Sequence, residues 1–169
     1  MAQMVFVPVS RAEASALRAS GVLGGERAGY AASPSLLRAH DYDESTLEDA
    51  EFAALSYAAV SLVRAADGDP LRLVLAAELS AAQVVLDPDS WYGLVSVREV
   101  GWRDVRALFS DQSSAGAALQ AARRAAADRP LEEALEVPEV ELLLEEHDLL
   151  WFAPDELEQL PSASPTGAN

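Results

Sequence analysis

Residues 45–77 read STLEDAEFAALSYAAVSLVRAADGDPLRLVLAA, and the order of elements in this stretch decides the fold class. Leu47, Ala54, Leu55, Ala58, Leu62 and Ala65 recur at three- and four-residue spacing, which predicts a helix from Ser45 to Ala66 with one apolar face. Ser45 and Glu48 form a capping box at its start, and Asp67-Gly68-Asp69-Pro70 ends it sharply. Leu71 to Ala77 alternates too little for a half-exposed strand and reads as a buried central one. The expectation is a single α+β domain over residues 1–160. Its mixed β-sheet would be packed by two main helices, this one and the alanine-rich Ser113 to Ala127.

Upstream, Val5 to Val9 reads as a strand. Ser10 with Glu13 is a second capping box, starting a helix that runs from Arg11 to about Ser20 and stops at Gly21. Gly24, Gly25 and Gly29 mark a loop leading to a short extended piece near Tyr30. Ser33-Pro34 then opens a short helix ending near His40. Downstream, Val84 to Leu86, Leu94 to Val100 and Val105 to Phe109 are strand candidates, with a turn at Gly101. Leu131 to about Glu146 is helical with a break at Pro138. The apolar run Asp148 to Ala153 reads as a core strand, and Pro154 opens a terminal helix through Leu160. Residues 161–169, small, polar and proline-containing, read as a disordered tail.

The 169 residues carry 28 acidic and 12 basic side chains, a formal charge of -16, and every basic residue is arginine. Without lysine or cysteine there is no lysine Schiff base, no Walker-A lysine, no thiolate nucleophile or metal ligand and no disulfide. Arginine without lysine beside abundant alanine reads as codon bias in a high-GC genome, with salt adaptation as the alternative. Half the residues are hydrophobic but only 7% are aromatic, so tight helix packing must stand in for bulky side chains. Met1 to Phe6 lacks the basic and apolar regions of a secretory signal, and no run approaches the roughly 18 apolar residues of a membrane span. A cytoplasmic location without membrane contact is expected.

The charge is unevenly placed. Up to Ala127 there are 16 acidic residues against 11 arginines, whereas Asp128 to Leu160 holds 12 against one. A smaller cluster, Asp41, Asp43, Glu44, Glu48, Asp49 and Glu51, surrounds the start of the long helix, where the macrodipole favours carboxylates. The C-terminal run reads either as a solvated face that keeps the chain soluble or as a docking face for a basic protein partner, with mimicry of DNA phosphates as a special case of docking. Glu139, Glu141, Glu145 and Glu146 are its candidate contact residues. Direct nucleic-acid binding is not expected, because it requires clustered cations.

His40 and His147 are the only imidazoles, each followed by aspartate. If the fold brought His40, Asp41, His147 and Asp148 together they could hold a divalent cation, although no His-Glu-x-x-His or EF-hand pattern occurs. The bland alternative is that both are surface or capping histidines. No Gly-x-Ser-x-Gly elbow or dinucleotide-binding glycine pattern is present, and no cofactor is expected. Arg98, Arg103 and Arg106 around Trp102 could form a small anion site, or could pair internally with the surplus acids. Trp91-Tyr92 reads as a packing pair rather than a ligand platform.

The ending His147-Asp148-Leu149-Leu150-Trp151-Phe152-Ala153-Pro154-Asp155-Glu156 is the most distinctive string. With Val5-Phe6-Val7-Pro8, Glu51-Phe52-Ala53-Ala54-Leu55 and Arg72 to Glu78, it resembles an uncharacterised family of small acidic actinobacterial proteins over nearly the whole chain to Leu160. The resemblance implies a cytoplasmic protein of unknown function and carries over no catalytic residue. The functional expectation is a non-enzymatic binding or regulatory module presenting its acidic face to a protein. The alternative is a small metal-dependent hydrolase built on the two His-Asp pairs.

Overall fold

Val5 and Val7 of β1 (Ala2–Pro8) point to one side of a sheet and Phe6 to the other, and all three are buried, so both faces of this strand are covered. In the computed structural model, which describes residues 2–65 and 67–163, β1 lies inside a seven-stranded sheet. The strands are β1, β2 (Val22–Ala31), β3 (Leu73–Ser80), β4 (Val84–Leu86), β5 (Leu94–Gly101), β6 (Val105–Ser110) and β7 (Leu150–Phe152), in the order β4-β5-β2-β1-β3-β6-β7. The helices are α1 (Arg11–Ser20), α2 (Pro34–Ala39), α3 (Leu47–Val63), α4 (Gly116–Ala126), α5 (Leu131–Ala134) and α6 (Pro138–Glu146).

The domain is α+β as expected, but its sheet is antiparallel throughout rather than mixed. The first pairing is strongly offset. β2 meets β1 only through Val5–Ala31 and Phe6–Tyr30, so most of its ten residues project past β1. α1 joins the two strands and packs Ala14 and Leu17 on the sheet face, and β2 returns antiparallel to β1.

β2 occupies the stretch expected to be a loop, and its glycines have strand roles. Gly25, at φ 94, sits in the irregularity between Gly24 and Arg27 where register with β5 shifts. At Gly29 a Cβ would lie 2.8 Å from both Val5 Cγ1 and Val97 Cγ2, so only glycine lets these strands carry valines on the same face.

One sheet face packs Val5, Val7, Leu75, Leu79, Val97 and Leu108 against Ala14 and Leu17 of α1 and Leu157 of the final 3-10 turn, Pro154–Gln159. The other packs Phe6, Tyr30, Val74 and Ala76 against Ala50, Ala54, Leu55 and Ala58 of α3. The alanine-rich α4 does not lie on the sheet. Its Leu119, Ala122 and Ala126 pack with Val60 and Val63 of α3 and with Leu131, Ala134, Val140 and Leu143 of α5 and α6, forming a helical layer outside α3.

The reciprocal cap before α3 is Asp43 with Thr46, two residues upstream of the expected Ser45 and Glu48. Asp43 Oδ1 accepts from the Ser45 amide at 2.8 Å, and Thr46 Oγ1 accepts from the Asp43 amide at 2.9 Å. α3 stops at Val63, and Ala66, its expected end, lies outside the described residues. Arg123 of α4 holds the exit, donating to the carbonyls of Leu62, Gly68 and Asp69. β7 is an edge strand paired only with β6, with Trp151 60% exposed, and not the core strand its apolar sequence suggests. Of the expected tail, Pro161 to Ala163 are described. The Pro161 and Leu160 carbonyls accept from Arg11 at 3.1 Å, while 164–169 lie outside the described residues. Among the described residues no helix is long and apolar enough to cross a membrane.

Candidate functional site

In α5 and α6 the apolar residues Leu131, Ala134, Val137, Val140 and Leu143 follow helical spacing and turn into the layer against α3 and α4. Everything acidic is thereby forced outward: Glu132, Glu133, Glu136, Glu139, Glu141, Glu145, Glu146 and Asp148 are all exposed. The ion pairs among the described residues join Arg18 to Glu158, Arg27 to Glu13, Arg72 to Asp111 and Arg106 to Glu78. None of them uses a carboxylate of this face.

Leu142 interrupts the acids at the centre of the exposed arc of α6 and is 50% exposed. Glu139 precedes it by three residues and Glu145 and Glu146 follow by three and four, so these side chains border it on the helix surface. The arrangement opposes the helix locally. Glu141 and Glu145 are a like-charge pair at i,i+4, and Glu145 and Glu146 sit at the negative end of the macrodipole with no basic residue in the last turn.

Beside this face lies an aromatic cluster. His40 caps α2, and its Nε2 lies 3.1 Å from the Tyr57 hydroxyl. Its ring stacks on Tyr42 at 5.7 Å and faces Trp91 at 6.2 Å. Tyr57 and Tyr92 meet Trp91 edge-on, at 5.5 and 5.1 Å. Trp91 Nε1–H donates to Glu132 Oε1 at 3.2 Å. The two acidic stretches, remote in sequence, thus flank one half-buried aromatic surface, with Asp41 and Asp43 beside His40 and Tyr42 and with Glu132 on the indole.

The two His-Asp pairs have separate surroundings. His147 follows α6, its carbonyl accepts from Arg72 Nη2 at 3.1 Å, and its Nδ1 is buried without a partner. Arg72 is itself locked to Asp111 in the interior, a buried pair with no sequence signal beyond an arginine in an apolar run just before β3. Among the described residues no group of three or more His, Asp or Glu side chains is placed to hold a metal ion, so His40, Asp41, His147 and Asp148 do not assemble into a ligand set.

The proposed arginine cluster is committed internally in part. Arg106 donates to the Arg103 carbonyl at 2.7 Å and lies 3.5 Å from Glu78, and the cation over Trp102, at 5.9 Å, is Arg18. Titration follows the same local logic elsewhere. Burial and the neighbouring Glu48 raise the Glu51 carboxyl above its ordinary value, whereas hydrogen bonds from Ser45 and Thr46 lower Asp43.

A family model described as a family of unknown function (DUF6912) matches residues 3–160. No curated protein and no solved structure matches the chain.

Proposed function

The chain belongs to DUF6912, a family of unknown function, and from its surface we propose that it is a non-enzymatic binding or regulatory module that docks a basic protein partner on α5 and α6. A cytoplasmic setting in an actinobacterium forms part of the same reading. The observation that carries it is Leu142, a half-exposed apolar side chain bordered by Glu139, Glu145 and Glu146. An apolar centre with a polar rim is the usual anatomy of an interface, and Leu142 with its bordering glutamates has that arrangement. The exposed carboxylates, in no ion pair among the described residues, support long-range attraction of a basic surface and suppress wrong partners. The local opposition to the helix in its last turn is also relieved when cations arrive from outside.

Capture from native lysate tests the reading when the wild-type chain is compared with the Glu139→Lys, Glu145→Lys, Glu146→Lys triple variant at low and high salt. A basic protein retained by the wild type, released by salt and absent with the variant is the expected result. Identical captures with both baits contradict it.

A further inference from the structure

We propose that Trp91 and Glu132 form a receptor for an arginine side chain of the basic partner, at the edge of the acidic face. The proposal rests on the docking reading above and makes it specific. The indole of Trp91 is held by the edge-on rings of Tyr57 and Tyr92, and its Nε1–H bond to Glu132 Oε1 fixes a carboxylate beside the ring. No hydrogen bond among the described residues uses Glu132 Oε2. Trp91 is half-buried and Glu132 exposed, so both side chains keep some contact with solvent.

A planar guanidinium fits this pair because it stacks on an indole while its edge donates to a carboxylate. An ammonium is more strongly hydrated and cannot do both with a planar contact. Asp41 and Asp43, exposed and next to His40 and Tyr42 in the chain, add attraction for a cation of either kind.

The test titrates the full chain with end-capped octapeptides of arginine and of lysine at near-physiological salt. The arginine peptide is expected to bind roughly fivefold more tightly than the lysine peptide. Trp91→Leu should bring that ratio close to one, Trp91→Phe should keep part of it, and the Trp91 indole N–H resonance should move with arginine more than with lysine. Charge reversal on α6 should weaken both peptides and leave the ratio unchanged. A ratio that survives Trp91→Leu in a folded variant, or equal movement of the indole resonance with both peptides, overturns the proposal. Salt-dependent binding with no dependence on Trp91 sinks the receptor and spares the docking face, while binding of neither peptide sinks both.

Discussion

Arg72 and Asp111 are locked together in the interior, with side chains 1% and 0% exposed. Arg72 Nε and Nη2 donate to the two Asp111 oxygens at 2.9 and 2.8 Å, and the Arg72 amide adds a third bond at 2.8 Å. Through Nη2 the same guanidinium reaches the His147 carbonyl, tying the end of α6 to the start of β3. Removing one member of such a pair strands a buried charge and costs about 3–5 kcal/mol. Asp111→Ala should lower the unfolding free energy measured by urea titration by that amount, and Arg72→Met with Asp111→Leu should recover much of it. A loss under about 1 kcal/mol for the single variant would show the pair to be hydrated.

Arg123 ties α4 to the carbonyls of Leu62, Gly68 and Asp69, and burial pulls its basicity down against the opposing pull of Asp69 and Asp111. Arg123→Met keeps the stem and loses the donors. Hydrogen exchange should then accelerate in the segment between Val63 and Leu71 and at the end of α3, while α1 stays protected. Uniform acceleration over the whole chain would place the role in global stability instead.

Burial pushes the Glu13 carboxyl up, but the Ser10 amide and the Arg27 guanidinium outweigh it and hold the group below the ordinary glutamate range. A depressed folded value means stability that is present at neutral pH and is lost as pH falls through that lowered value. Glu13→Gln should therefore be less stable than wild type near neutrality and converge with it in acid. Parallel denaturation curves across the whole range would contradict the assignment.

The local elements with their own chemistry were legible from the residues. Ser10 and Glu13 started α1, Gly21 at φ 86 ended it, and Ser33-Pro34 opened α2, because each involves only neighbours in sequence. Tertiary context decided the rest. The glycines of β2 suggested a loop until Val5 and Val97 closed on Gly29, and the apolar run at Leu150 to Phe152 looked central although it forms an edge. The acidic face was visible as composition. Its aromatic flank was not, since nothing in the spacing of His40, Tyr57, Trp91 and Glu132 foretells that four elements meet.

Glu145→Lys replaces a like-charge i,i+4 pair by an attractive one with Glu141 and complements the end of α6. It should stabilise the free chain by about 0.5 kcal/mol while weakening partner capture. Opposite signs for stability and binding are what a face maintained for docking requires. If the free chain loses stability, the local opposition described for α6 is absent.

Leu142→Gln tests the docking claim most directly, because it keeps every carboxylate of the face and changes only its apolar centre. Capture of the basic partner from native lysate should be largely lost with the melting temperature nearly unchanged. Undiminished capture by a folded Leu142→Gln chain would contradict the account and leave any docking to the carboxylates without an apolar centre.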